Sequence, residues 1–188
     1  MPKTSNHVTK NGGAASSQPN KDSVDASAIN CAESLAARLE EGAARLIALA
    51  EKLSEIEWNT AVSPTDQRSV GVVVHHVASM YPLEIQLAQA VADGKSVLDV
   101  TWEAVAQVNA KHAQEYAHVS KSAAIELLHQ NSREAAAAVR SFTDQQLNNA
   151  AAFSLCSGAP MTAQFVIEDH AMRHSWHHLA AIRKALGR

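Results

Sequence analysis

Four histidines lie within nine residues near the carboxyl end, in the segment EDHAMRHSWHHLAAIRKAL. A helical residue turns by roughly 100°, so His174 and His178, four residues apart, share one face. His178 falls inside the apolar stripe of this helix and His174 at its edge, whereas His170 and His177 are predicted to point outwards. Two imidazoles at this spacing can reach one metal ion, as they do in zinc-binding helices.

A third inward histidine occurs about a hundred residues earlier, in SVGVVVHHVASMYPLEIQLAQAV. His76 lies in the middle of a predicted apolar stripe made of Val72, Val73, Met80, Leu83, Leu87 and Val91. Its neighbour His75 is predicted to point the other way, beside Gln86 and Gln89. A buried imidazole without a partner costs a few kcal/mol, and one shared metal ion would satisfy three such rings. Hydrogen-bonded core histidines remain an equally open interpretation.

A further set of polar residues could line such a site. His112, Asn109 and Tyr116 share a helical face in TWEAVAQVNAKHAQEYAHV and are candidates for ligand, substrate-binding or proton-transfer roles. A core histidine bonded to a backbone carbonyl is the preferred interpretation of His112. Glu168 is predicted on the inner side of the last helix, where it could orient a ligand ring. No general base is assigned, and His118 and His129 are predicted to be solvated.

The elements that must position these residues are helices. Alanine is abundant, aromatic residues make up 4% of the chain, and Gly and Pro number only 7 and 5. This composition favours an all-α domain. Apolar periodicity and capping residues predict long helices over 27–57, 69–92, 102–119, 121–142 and 162–186, a short helical turn after Thr143, and a loop over 151–160. We therefore predict a four-helix bundle with an additional short helix over 25–188, after a disordered tail over 1–24.

Charge and composition exclude several classes of function. The net charge is −3 and no basic patch occurs, so nucleic acid is not an expected partner. The amino-terminal segment has no apolar core and no stretch is long enough to span a membrane, so we expect a cytoplasmic protein without a membrane partner. Cys31 and Cys156 form no CxxC motif, which fits a reducing compartment. No Ser-His-Asp order or phosphate-binding glycine loop is present.

Three segments resemble the DinB/YfiT-like superfamily of metalloenzymes, which includes mycothiol- and bacillithiol-dependent enzymes. They are RSVGVVVHHVASM, NAKHAQEYAHVSKSAAIELL and HSWHHLAAI, and the resemblance spans about residues 30–186. It implies a four-helix bundle in which His76, His174 and His178 bind the metal. The chain departs from the family pattern at Arg68, where a tryptophan is expected, and in HHLAA, where HHRGQ is common.

The leading hypothesis is a metal-dependent enzyme that acts on a small molecule, either as a thiol-dependent S-transferase or as a hydrolase. Three histidine ligands leave coordination positions open, and they suit zinc, nickel, iron or copper. The resemblance adds a low-molecular-weight thiol as a possible cofactor, and a homodimer is a possible assembly. The alternative is a non-catalytic helical binding or oligomerisation module with structural core histidines.

Overall fold

The computed structural model describes residues 30–188, and these residues are mainly helical, as predicted. The disordered tail predicted over 1–24 lies outside the described residues, and so does the predicted start of the first helix, 27–29. In chain order the elements are α1 (Cys31–Ala50), α2 (Glu55–Trp58), α3 (Val70–Ala92), α4 (Trp102–Glu115), α5 (Lys121–Arg140), α6 (Asp144–Asn148), β1 (Ala150–Phe153), β2 (Ala159–Thr162), α7 (Ala163–Val166), a π-helical segment (Ile167–Met172) and α8 (Arg173–Ala185).

Four long helices form the bundle that was predicted. They are α1, α3, α5 and a continuous C-terminal helix made of α7, the π-helical segment and α8. Helix α5 packs against α1 and α3, and the C-terminal helix packs against the same two helices. The core between them is aliphatic, with fully buried side chains that include Leu35, Leu39, Leu128 and Ile182. The histidine-bearing faces of α3 and α8 lie next to each other.

Several helix boundaries differ from the predicted ones. The segment 27–57 is not one helix, because α1 ends at Ala50 and Ser54 begins the separate helix α2. The Ser54 hydroxyl accepts from the backbone N–H of Glu57, whose carboxylate accepts from the backbone N–H of Ser54. This reciprocal capping box begins a new helix that periodicity alone had joined to the first. Helices α4 and α5 also end a few residues early, at Glu115 and Arg140.

Helix α4 lies outside the bundle, on the connection from α3 to α5. It packs on α3, and within it only His112 is buried. Trp102 at its start is 64% exposed and Val108 is 47% exposed. Helix α4 therefore forms an outer cover over the face of α3 that carries the histidines.

The loop predicted over 151–160 contains an antiparallel hairpin instead. Strands β1 and β2 pair with Ala151 opposite Met161, and the turn between them has positive φ angles at Ser157 and Gly158. Val97 pairs with the other edge of β1, since its N–H donates to Ala152 and its carbonyl accepts from Ser154. The short strands were missed because four residues are too few to establish a period of two.

The C-terminal helix widens into π geometry over Ile167–Met172. A π-helical turn bonds residues five apart and so changes the angular register of everything before it relative to everything after it. A wheel drawn at roughly 100° per residue is therefore valid within α8 but not across this segment. Ser175 and His178 follow the π segment, whereas His170 lies inside it.

Among residues 30–188, no helix combines the length and the apolar character that a membrane span requires.

Candidate metal centre

Three histidine rings from two helices converge at one point of the bundle. His76 extends from α3, and His174 and His178 extend from α8. One ligand nitrogen from each ring lies within 4.8 Å of the other two, and the Nε2 atoms of His76 and His174 are 3.1 Å apart. Two nitrogens bound to one tetrahedral zinc ion are about 3.3–3.4 Å apart, given bonds of about 2.0–2.1 Å. The spacing therefore fits a shared divalent ion.

A buried carboxylate fixes the orientation of His174. Glu84 lies on α3 two turns after His76, is 8% exposed, and accepts from His174 Nδ1 at 2.5 Å. A carboxylate accepts only from a protonated Nδ1, so in the neutral ring the lone pair of His174 lies on Nε2, which faces His76. Carboxylate–histidine pairs of this kind orient metal ligands and increase their basicity. The sequence places Glu84 one to two turns beyond His76, among the residues that could orient a ligand ring. Its pairing with His174 could not be predicted, because the contact depends on how α3 packs on α8.

Burial keeps the ligand rings neutral. Loss of solvation, with the nearby His174 and His178 charges next in size, lowers the pKa of His76 to about 2. The same desolvation, followed by the charge of His174, lowers the pKa of His178 to about 3. A neutral imidazole is the form that binds metal, because its unprotonated nitrogen supplies the lone pair. Both rings are therefore ready to act as ligands near neutral pH.

The cluster opens into a cavity of about 290 Å³ between α3, α4 and the C-terminal helix. Met80, Leu83 and Leu87 line this cavity, and Leu83 is 44% exposed. The sequence placed these three residues in the apolar stripe of α3, and that part of the stripe faces the cavity. Val73 and Val91, which belong to the same predicted stripe, are fully buried in the bundle core.

A second histidine pair lies behind His76. His75 and His112 are 6% and 7% exposed, and His75 Nδ1 lies 2.9 Å from His112 Nε2. The hydroxyl of Ser79 lies within hydrogen-bonding distance of both rings, and the ring of Tyr116 stacks on His75 with centroids 4.0 Å apart. His75 was predicted to point away from the apolar stripe and to be either solvated or a support for the ligands. It does point away, but it is buried because α4 covers that side of α3.

His112 is a core residue, but its partner differs from the expected one. Its Nε2 bonds to the ring of His75 rather than to a backbone carbonyl, and its ring lies 5.4 Å from that of His76. Asn109, one turn earlier, lines the cavity. Tyr116 belongs to the stacked pair and is not part of the cavity lining.

Two further predicted positions fall elsewhere. Glu168 does not line the histidine cavity; its carboxylate pairs with Arg38 at 3.4 Å and accepts from Gln164. His170 was predicted to point outwards, yet it lines the cavity and its Nε2 is buried without a hydrogen bond from residues 30–188. The π-helical turn accounts for this difference, since it changes the direction of His170 relative to α8. His118 and His129 are exposed, as is His177 at the rim of the cavity.

The fold and the cluster together define a class: a four-helix bundle with three histidines between two of its helices that could hold a metal ion. The chain belongs to the DinB superfamily, whose family profile matches residues 38–182. This match confirms the family resemblance that the three sequence motifs indicated.

Among solved structures, the chain is similar to YfiT from Bacillus subtilis, described as "a probable metal-dependent hydrolase with an unusual four-helix bundle topology". The TM-score is 0.65 at 19% identity, over 90% of this chain and 91% of YfiT. A structural likeness at this level of identity shows that the two proteins share a fold. No curated protein matches the chain significantly.

Proposed function

We propose that the protein is a metal-dependent hydrolase that acts on a small molecule. The observation that carries this proposal is the convergence of His76, His174 and His178 within 4.8 Å at the wall of a cavity. Three protein ligands are typical of catalytic rather than closed structural sites, because positions remain for water and substrate. The description of YfiT as a probable metal-dependent hydrolase supports the same reaction class.

The side chains around the site have separable roles in this proposal. His76, His174 and His178 would hold the ion through neutral ring nitrogens, and Glu84 keeps the proton of His174 on Nδ1. A divalent ion held there supplies Lewis acidity and lowers the pKa of a bound water towards neutrality. His170 contributes an Nε2 in the cavity wall that makes no hydrogen bond within residues 30–188 and can exchange a proton with a bound substrate.

The cavity supports a small substrate. Its volume of about 290 Å³ is near the lower end of the range typical of ligand pockets, about 300–1,000 Å³. Helix α4 covers one side, and the apolar side chains of Met80, Leu87 and Val105 exclude water from part of the wall. Exclusion of water strengthens the electrostatic interactions that a bound substrate makes inside the site. The low-molecular-weight thiol expected from the resemblance remains a prediction.

A hydrolysis assay tests this function. The untagged protein is stripped with a chelator, reloaded separately with zinc, nickel or iron, and assayed against a panel of small esters and amides. We expect hydrolysis that disappears with the metal and returns on reloading, and His178→Ala should abolish it. His118→Ala is the matched control, since His118 is exposed and distant from the cluster along the chain.

Three results would count against the proposal. Hydrolysis that survives complete removal of metal would show that the three histidines are not part of the reaction. Full retention of metal-dependent activity in His178→Ala would place the reaction elsewhere. A protein that binds no metal and melts at the same temperature with and without a chelator would favour the non-catalytic module.

A further inference from the structure

Arg68 places a fixed guanidinium group at the histidine cavity. It precedes Ser69, the N-cap of α3, and its side chain is 22% exposed. Nε donates to Asp66 Oδ1 at 2.9 Å and Nη2 donates to Asp66 Oδ2 at 2.7 Å. This bidentate pair uses one edge of the guanidinium and holds the group in a single orientation.

The backbone around Arg68 is also held in place. Its N–H donates to Asp66 Oδ1 at 3.2 Å, and its carbonyl accepts from the N–H of Val62 at 3.0 Å. Ala61 and Ser69 form a bridge across the same loop. The guanidinium is therefore positioned by the fold before any ligand binds, which reduces the entropy lost on binding.

Nη1, on the other edge of the guanidinium, is buried and makes no hydrogen bond to any residue of the described part of the chain, 30–188. Arg68 lines the same cavity as His76 and His178. A buried donor without a partner is costly, and a guanidinium is the side chain best suited to carboxylate and phosphate oxygens. The chemistry at this end of the cavity thus favours an anion.

The opposite part of the cavity has a different character. Leu83, Leu87, Val100, Val105 and Leu155 line it, together with Trp102. Trp102 is 64% exposed, so its ring is available at the rim for contact with an apolar group. The lining therefore combines the Arg68 guanidinium and neutral histidines with apolar side chains. The two carboxylates that also line the cavity are already paired, Glu84 with His174 and Asp169 with Arg173.

We propose that the cavity takes a small amphipathic anion, whose carboxylate or equivalent acidic group binds Arg68 Nη1 beside the three histidines and whose apolar body lies against Leu87, Val105 and Trp102. This inference deepens the proposed function and rests on it, because it names the substrate class of the same site. Arg68 acts here as a binding residue that selects for charge and places the anion next to the metal ligands.

A titration with a matched pair of probes tests the inference. Hexanoate and hexanamide have the same apolar body and differ in the charged head group. Isothermal titration of the zinc-loaded and the metal-free wild type should give at least about tenfold tighter binding of hexanoate, as expected for a charge-assisted hydrogen bond in a buried site. This comparison needs no variant, so a folding defect cannot obscure it.

Two variants then locate the selectivity. Arg68→Gln should lose at least about tenfold of the preference for hexanoate while its zinc content stays at the wild-type level. Arg173→Gln is the control, because Arg173 lines the same cavity but is 60% exposed and paired with Asp169. It should change the preference by less than about twofold, as expected for an exposed, solvent-screened charge.

Metal content measured on the same samples separates this inference from the proposed function. If the wild type binds no metal, the proposed function fails, and an Arg68-dependent preference in the metal-free protein still supports the anion site. Equal binding of the two probes by the wild type overturns the inference. An undiminished preference in Arg68→Gln overturns it as well, whether or not metal is bound.

Discussion

Glu84 determines which nitrogen of His174 is available as a ligand. Its carboxylate oxygen accepts a hydrogen bond from Nδ1, with the two atoms 2.5 Å apart. In the neutral ring the lone pair therefore lies on Nε2, which is 3.1 Å from Nε2 of His76. The second carboxylate oxygen of Glu84 is buried without a hydrogen bond from the described residues. A buried carboxylate in this position is costly unless it stays engaged with a proton donor, so the pair supports the ligand geometry.

The first prediction concerns this carboxylate. Glu84→Gln keeps the shape of the side chain but removes its charge, so it should weaken metal affinity by about 10- to 100-fold, as is typical when a residue that orients a ligand is replaced. Affinity is measured by competition with a chromophoric chelator. Glu168→Gln is the matched control, because Glu168 pairs with Arg38 away from the cluster and should bind metal like the wild type.

The contradicting result is equal metal affinity in Glu84→Gln and in the wild type. That result would mean that the His174 ring is held by its own helix rather than by the carboxylate.

At the residue scale, sequence reasoning succeeded where it depended on a single regular helix. His174 and His178 share a face because both follow the π-helical segment and belong to α8. The prediction failed for the burial of His75, because a helical wheel drawn for one helix cannot show that α4 covers the other side of α3. The pairing of Glu84 with His174 was not predicted for a related reason: the contact joins residues 90 positions apart.

The position of α8 against α1 depends on a glycine. A Cβ atom at Gly42 would lie 2.4 Å from Ser175 Oγ and 2.7 Å from Trp176 Nε1. Ser175 and Trp176 lie directly between His174 and His178 in the chain. The close approach of these two helices therefore bears on the placement of both ligands.

The second prediction follows from this contact. Alanine in a helix interior ordinarily stabilises by about 0.5–1 kcal/mol relative to glycine. Gly42→Ala should instead destabilise the protein by about 1–3 kcal/mol, because the new methyl group overlaps α8. Urea unfolding measures the change. The double variant Gly42→Ala/Ser175→Ala removes one of the two overlapping atoms and should recover part of the loss.

A stabilising Gly42→Ala would show that α8 lies farther from α1 than the structure places it. Strictly additive effects in the double variant would show that Ser175 is not the group in contact.

At the element scale, the long helices could be predicted because each carries an apolar period and a capping residue. Ser69, Thr101, Ser120 and Thr162 all cap the helices they were expected to cap. The π-helical segment and the β1–β2 hairpin could not be predicted in this way. The former has no pattern distinct from that of an α-helix, and the latter depends on pairing with Val97, which is distant in sequence.

The whole molecule buries several neutral histidines in one region of the bundle. Desolvation lowers the pKa of His76 to about 2, of His178 to about 3 and of His75 to about 4, with the neighbouring histidine charges as the next cause in each case. Free histidine titrates near pH 6.5. Between these values the unfolded chain binds more protons than the folded one, so the metal-free protein loses stability as pH falls below about 6.5.

The third prediction is a pH dependence of folding. The free energy of unfolding of the metal-free protein should be constant above about pH 7 and should decrease steadily from pH 6.5 to 5.0. Urea titrations at fixed pH values measure this free energy. Between pH 6.5 and 5.0 most carboxylates stay ionised, so they contribute little to the change. His118→Gln should show the same slope, because His118 is exposed.

A flat profile between pH 6.5 and 5.0 would contradict the burial of these rings. A free energy of unfolding that rises as the pH falls would indicate that the histidines bind protons more tightly in the folded state than in the unfolded chain.

The four-helix architecture was predictable from composition and periodicity, and membership of the DinB superfamily agrees with it. The cavity was not, since its wall combines Arg68 from a loop, Leu87 from α3 and Trp102 from the outer helix α4. These residues come together only through tertiary packing. The sequence could thus indicate the metal ligands but not the space into which they open.

In the proposed metal centre, His76, His174 and His178 bind one divalent ion. The metal content of the untagged protein, measured by mass spectrometry after zinc loading and desalting, is the direct test. We expect about one ion per chain in the wild type and in the control His177→Ala, and loss of nearly all bound metal in His76→Ala and His174→Ala. Wild-type protein without bound metal, or full occupancy in both ligand variants, would contradict the claim.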